Sequence, residues 1–332
     1  MLLDPTSGPL SLPAVLLAAL LLDALVGDPR WLFRHLPHPV ALIGGLVGWL
    51  DRRLNRPERT EASRAMRGLV VTLFVAAVAG ATGWLVALYA GPWRYGWIVE
   101  LLLVTLLVAQ RSLFDHVRDV ARALDRDGVA GGRVAVAHIV GRDPARLDKH
   151  GVARAAIESL AENFADGVVA PALWYLLFGL PGLLVYKAVN TMDSMIGHRT
   201  PRHTAFGRVA ARADDLMNWL PARIAGVMIV LAALFAPAGR PAGAFRVMAR
   251  DGRKHRSPNA GWPEAAMAGA LAVALSGPRS YGDGIAAEPW LGEEFSARIG
   301  AAEIRRALYV FAVACLINAI LVAAIAWFFL AR

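Results

Sequence analysis

The stretch AENFADGVVAPALWYLLFGLPGLLVYKAVNTMDSMIGH, Ala161 to His198, decides how this chain is read. It opens on two acids, Glu162 and Asp166, and closes on Asn190 and Asp193. Between them runs mostly apolar sequence that carries a lone Lys187. An apolar run of about twenty residues crosses a bilayer. Here, however, polar groups stand at both ends, and GLPG, 179–182, interrupts the middle. Proline and glycine break a helix centre, and irregular backbone at membrane depth is tolerated only where protein or a polar cavity covers it. The pattern predicts two half-helices, a re-entrant broken pair over 166–190. That pair would return the chain to the face it left and set Glu162 or Asp166 close to Asp193 on the cytoplasmic side.

The rest of the chain supports a membrane setting. Of 332 residues 57% are hydrophobic and 18% charged, against about a quarter charged in soluble domains. Mean hydropathy is +0.47. Apolar segments recur from end to end, so the expectation is one membrane-embedded domain, 1–332, in an all-α, polytopic protein with four to six transmembrane helices. The strongest candidates are 69–90, 93–109 and 307–330; 10–26 and 222–236 are shorter, and 39–50 is a partner at the interface. Stretches 112–126 and 148–162 alternate apolar and charged positions at helical spacing and read as amphipathic cytoplasmic helices. Arginines crowd 52–67 and 111–154, which places both segments in the cytoplasm. Stretch 10–26 lacks a basic flank and a small-residue cleavage site, so it reads as a retained helix.

Net charge is +9, and only Lys149, Lys187 and Lys254 among the 35 basic residues are lysine. No compact basic cluster interleaved with aromatics occurs, so nucleic acid is not an expected partner. The single cysteine, Cys315, excludes an intramolecular disulfide and a cysteine zinc site. P-loop, GxSxG and HExxH motifs are absent.

The polar residues fall into three groups. Glu158, Glu162 and Asp166, spaced i, i+4, i+8, share a helical face, and three carboxylates on one face call for a cation or basic partner. Asn190 and Asp193 share a face one turn beyond Lys187, with Thr191 and Ser194 beside them; ionisable groups near membrane depth are functional candidates. Asp214 and Asp215 are adjacent acids of the kind magnesium uses, although pairing with Arg212 or Asn218 would serve as well. HRSPNAGW, 255–262, is a turn whose Ser257, Asn259 and Trp262 suit a phosphate, an amide or a flat ligand. His35 and His38 in HLPHP, with GDPR at 27–30, read as structural turns.

DALVGDPR and HPV near the start, AIESLAENFADGVVAP, YKAVNTMDSMIGH, FGRVAARADDLMNWLPAR and SPNAGWPEAAMAGAL together resemble the CobD/CbiB family of cobalamin-biosynthesis membrane proteins, the adenosylcobinamide-phosphate synthases. The resemblance covers nearly the whole chain; His198 stands where an aromatic is common. It implies an amide ligase that joins aminopropanol or its phosphate to the free propionate carboxylate of adenosylcobyric acid, with ATP and Mg²⁺, alongside other late enzymes of the pathway. On that reading Glu158, Glu162, Asp166, Lys187 and Asp193 are catalytic. Glu162, Asp166, Asp193, Asp214 and Asp215 offer metal ligands. Asn163, Asn190, Thr191, Ser194, Arg223, Ser257, Asn259 and Trp262 bind substrate, and Trp174 and Tyr175 add an apolar wall. Arg199, Arg202, Arg212 and Arg223 are candidate clamps for phosphate or carboxylate. Two other readings of acids on membrane helices are a magnesium-dependent prenyltransferase and a transporter with a midplane site.

Overall fold

A computed structural model describes residues 11–28, 33–34, 37–141, 144–281, 284–286 and 288–331. His35, Pro29 and Arg30 of the two N-terminal turns lie outside the described residues. In chain order the helices are α1 Leu12–Val26, α2 Pro39–Leu54, α3 Glu61–Ala90, α4 Gly96–Leu107, α5 Gln110–Arg126, α6 Gly128–Val136 and α7 Lys149–Phe164. A π-turn, Ala165–Val169, follows. Then come α8 Ala170–Ile196, α9 Arg208–Met217, α10 Trp219–Ala232, α11 Pro241–Asp251, α12 Gly261–Leu271 and α13 Ala301–Leu330. Four short strands lie between the last two helices: β1 Leu275–Ser276 pairs antiparallel with β4 Trp290–Leu291, and β2 Arg279–Tyr281 with β3 Gly284–Ala286.

Among the described residues four helical stretches are long and apolar enough to cross a membrane: Glu61–Ala90, Gly96–Arg126, Lys149–Ile196 and Ala301–Phe328. A fifth arises if Arg208–Met217 and Trp219–Ala232, bent by 46°, form one span. The all-α, multi-pass architecture is thus as the composition requires. Helix α1 is apolar but shorter.

The chain divides into two compact units woven through one another in sequence. The first comprises 1–109, 170–217 and 321–332; the second comprises 110–169 and 218–320. In the first unit α3 packs along α8, and α2 and α9 also lie against it. Helix α8 is broken where GLPG predicts. Gly179 has φ 63° and ψ −156°, a region open in practice only to glycine. A straight helix would set residues 174 and 182 about 12 Å apart along its axis. Instead, a Cβ added to Gly182 would lie 2.7 Å from the Trp174 carbonyl oxygen and 2.5 Å from Phe178 Cβ. The second half of α8 therefore starts along the flank of the first. Both halves also reach α9: Trp174 Nε1–H donates to the Met217 carbonyl at 3.2 Å, and Asn190 Nδ2–H donates to Asp214 Oδ1 at 3.2 Å.

The same unit explains a glutamate inside an apolar helix. Glu100 of α4 is buried, and Tyr175 Oη–H donates to its Oε1 at 2.8 Å. Tyr175 is fully buried, so it belongs to the core and not to an exposed apolar wall. His38 is a structural turn residue: its Nδ1 accepts the Val40 N–H and caps α2.

In the second unit every residue of α12 except Trp262 is buried, and the helix packs on α10, α11 and α7. Asp251, at the end of α11 and fully enclosed, accepts hydrogen bonds from Arg250 and from the Gly292 N–H and pairs with Lys254 Nζ at 2.8 Å. Arg250 also holds Glu294 at 2.7 Å. One carboxylate thus ties the strand-bearing segment to α11.

Candidate functional site

In the first unit the second half of α8 carries Lys187, Asn190, Thr191, Asp193 and Ser194. Lys187 and Thr191 are buried, Asn190 and Asp193 half-buried, and Ser194 exposed. Thr191 Oγ1–H donates to the Lys187 carbonyl at 2.7 Å, and Ser194 Oγ–H to the Asn190 carbonyl at 2.9 Å. This bonding back to residue i−4 spends both hydroxyl protons on the helix itself. What each hydroxyl can still offer a ligand is its acceptor lone pairs. Asn190 joins this helix to buried Asp214 on α9, with Asp215 next to it. Of the predicted polar residues, Asn190 of α8 and Asp214 of α9 thus meet directly.

The charge of Lys187 reaches His38. Burial lowers the His38 pKa below its ordinary value and Lys187 lowers it further, against the opposing charge of Asp28.

The loop that leads from α8 to α9 is fastened from below by Asp51 of α2, which composition and spacing did not single out. Arg202 Nη2–H donates to Asp51 Oδ2 at 2.7 Å and Asn55 Nδ2–H to Asp51 Oδ1 at 2.8 Å. His203 Nε2 lies 3.5 Å from Asp51 Oδ1. Arg64 donates to Asn55 Oδ1 at 2.9 Å and to the carbonyls of Pro201 and Arg202. Burial raises the Asp51 pKa, but the hydrogen bonds from Asn55 and Arg202 outweigh it and hold the carboxyl below its usual range. Arg202, a candidate phosphate clamp by sequence, is therefore engaged in holding this loop. Arg199 and Arg212 are exposed.

In the second unit Glu158, Glu162 and Asn163 lie on α7, and Asp166 lies in the π-turn. Single π-turns inserted in helices recur at functional sites. Glu158 is buried, and its Oε1 accepts the Ser276 N–H of β1 at 2.8 Å. Glu162 is exposed and Asp166 half-buried. Asn163 Nδ2–H donates to the Ser159 carbonyl at 2.9 Å and to its hydroxyl at 3.2 Å. Arg154 donates to the Ala297 carbonyl at 2.8 Å and stacks 5.5 Å over Trp290. Face α7 therefore both supports the strand segment and presents Glu162 outward.

A second cluster in this unit joins Arg223, Ser257, Asn259 and Trp262. The Arg223 guanidinium lies between two indole rings, 4.4 Å from the centroid of Trp219 and 4.6 Å from that of Trp262. Its Nη1–H donates to the Trp219 carbonyl and, at 3.3 Å, to Asn259 Oδ1. Arg253 lies 5.9 Å over Trp262. Ser257 Oγ accepts the N–H groups of Asn259 and Ala260 at 3.3 and 3.2 Å, and Trp262 Nε1–H donates to the Pro258 carbonyl at 3.2 Å. Stacking fixes the guanidinium plane, which is how arginine is pre-organised for planar, two-pronged recognition of carboxylate or phosphate.

Among the described residues no three His, Cys, Asp or Glu side chains form a metal-holding group. Magnesium asks for less: one or two carboxylates, with substrate phosphates and waters completing its octahedron. Asp214, fixed by Asn190, offers one such carboxylate; Asp215 follows it on α9, where successive side chains point about 100° apart.

Comparison with known proteins agrees with the resemblance. The family model described as CobD/Cbib protein matches residues 16–311. A Sinorhizobium sp. protein named cobalamin biosynthesis protein CobD is 48% identical over 315 residues, 94% of this chain and 97% of its own. Its namesake in Rhizobium meliloti strain 1021 is 50% identical over 303 residues, covering 91% and 93%. The Rhodobacter capsulatus protein of that name is 50% identical over 282 residues, covering 84% and 86%. No solved structure matches. With a family match along most of its length and relatives near half identity end to end, this chain belongs to the CobD/CbiB family of cobalamin biosynthesis.

Proposed function

We propose that the protein is an amide ligase of the bacterial inner membrane, working on its cytoplasmic side. It joins aminopropanol or aminopropanol phosphate to the free propionate carboxylate of adenosylcobyric acid. The observation that carries this reading is the near-full-length likeness to relatives named for cobalamin biosynthesis.

A carboxylate is a poor acyl donor. Transfer of the γ-phosphoryl group of ATP to a carboxylate oxygen releases ADP and leaves an acyl phosphate. The amine gives up a proton and attacks the carbonyl carbon; a C–N bond forms, the C–O bond to phosphate breaks, and inorganic phosphate departs. Asp193 takes the amine proton. Lys187 stabilises negative charge on the transferred phosphoryl group or the tetrahedral oxygen. Glu158, anchored to Ser276, supports the helix that presents Glu162. Arg223 engages an anionic group of the substrate beside Asn259, Ser257 and Trp262. Asn163 and Asn190 orient amides like those at a corrin rim, and Thr191 and Ser194 accept hydrogen bonds from them. Asp214, with Asp215 and Asp193 as further carboxylates of the same unit, would hold magnesium, which would supply positive charge to neutralise phosphate oxygens.

The test is direct. Purified protein with cobyric acid, ATP, Mg²⁺ and either amine should give a product whose mass is that of the acid plus the amine less water. The Asp193→Asn variant, expressed to the wild-type level, should lose turnover by about 10²-fold or more, the scale of a lost general base. Unchanged turnover removes Asp193 from the chemistry. Absence of the product with both amines removes the reaction.

A further inference from the structure

The Arg223 cluster rests on two residues that no motif singles out. His255 begins the 255–262 turn, and Glu264 lies in the first turn of α12. His255 Nδ1 accepts the Ser257 N–H at 3.1 Å. That bond places the ring proton on Nε2, because a neutral imidazole donates from one nitrogen and accepts at the other. Nε2 faces Glu264 Oε2 at 3.9 Å. The side chains are 10% and 2% exposed, so the pair is enclosed. From this pair the turn is built outward. His255 fixes the Ser257 N–H, Ser257 Oγ fixes the N–H groups of Asn259 and Ala260, and Asn259 Oδ1 accepts from Arg223. Trp262, bonded to the Pro258 carbonyl, closes the turn and stacks on the same guanidinium.

We propose that His255 and Glu264 are positioning residues for the Arg223–Asn259–Trp262 clamp, acting on an anionic substrate group through the turn and not by touching it. The Glu264 carboxylate, beyond hydrogen-bond distance of Nε2, favours a proton on that nitrogen by its nearby negative charge, and the Nδ1 left to accept holds the turn. Histidine is suited to this because one ring serves a backbone donor on one side and a carboxylate on the other. This rests on the reading of Arg223 as a substrate-binding residue, so its test has a part that needs no activity.

The variants are His255→Ala, Glu264→Ala, the conservative His255→Asn, whose side-chain oxygen can replace Nδ1 as acceptor, and Arg223→Gln. Hydrogen–deuterium exchange of the peptide spanning 255–262 in the detergent-solubilised full chain should speed up about tenfold or more in both alanine variants. His255→Asn should bring it back toward wild type. Unchanged exchange in His255→Ala, or equal loss in His255→Asn, overturns the positioning role whatever the activity. In the ligation assay both alanine variants should raise KM for one anionic substrate about tenfold while kcat changes little, the mark of lost ground-state binding. Adding His255→Ala to Arg223→Gln should cost nothing more, since the two act as one unit. A fall in kcat with unchanged KM in the alanine variants, or full additivity with Arg223→Gln, overturns the proposal. Faster exchange combined with normal KM in Arg223→Gln and both alanine variants instead overturns substrate binding by Arg223, and with it the proposed duty of the pair.

Discussion

Asp251 shows how much one buried carboxylate can carry. Burial alone would raise its pKa, yet hydrogen bonds from Arg250, Lys254 and the Gly292 N–H win and hold it well below the usual carboxylate range. The folded value lies below the unfolded one, so the stabilisation is fully present above an unfolded pKa of about 4 and is lost as pH falls from there toward the folded value. Asp251→Asn should cost about 1–3 kcal/mol, because it leaves the enclosed Gly292 N–H with a poorer acceptor and Arg250 and Lys254 without their charge partner. Melting temperatures in detergent check this: the variant should melt lower at pH 7, and the gap should narrow below pH 4. Arg250 and Glu294 belong to the same network. Their hydrogen bonds raise the Arg250 pKa above and lower the Glu294 pKa below their ordinary values, so acid acts on two carboxylates of one joint.

The element that matters most is the broken helix α8. Gly179 occupies backbone space that a Cβ makes costly, and Gly182 lies against Trp174 and Phe178. Gly179→Ala should destabilise by about 1–3 kcal/mol through strain. Gly182→Ala should cost about as much through overpacking. Gly45→Ala in α2, where an added Cβ meets nothing within 4 Å, is the control and should be neutral or slightly stabilising. Thermal unfolding of the three purified variants decides the matter. The break could be read from sequence because proline and glycine act on their immediate neighbours. The polar faces of α7 and α8 could be read for a similar reason, since helical periodicity is local. The joints that hold those faces could not. Asp51 and Arg202 are separated by 151 residues, and Glu158 and Ser276 by 118. No spacing rule links such partners. Arg202 looked like a free clamp only because Asp51 is far away in sequence. The short strands between α12 and α13 went unread because each is two or three residues long, too short for an alternating pattern.

For the whole molecule the sharpest prediction concerns sidedness. Arginine-rich 52–67 leads into α3 and 111–154 follows α4, so both should lie in the cytoplasm. Single cysteines placed at Arg56 and Arg126 in a Cys315→Ser background should resist a membrane-impermeant maleimide in intact cells and react in inverted vesicles. Labelling of either in intact cells would reverse the assignment. Interleaving of the two units along the chain also bears on how the protein is made. The first half of α8, 170–178, rises only about 14 Å against a hydrocarbon layer of about 30 Å. An insertion machinery that reads hydrophobic length therefore meets, at Gly179, a break inside the long apolar stretch Lys149–Ile196 and not one straight span. The two halves then gain their fixed geometry by packing against helix α3, already synthesised when α8 emerges. Their assembly becomes a packing event of the nascent chain, and a weakened α3 contact would be felt first as failed biogenesis and only later as lost activity.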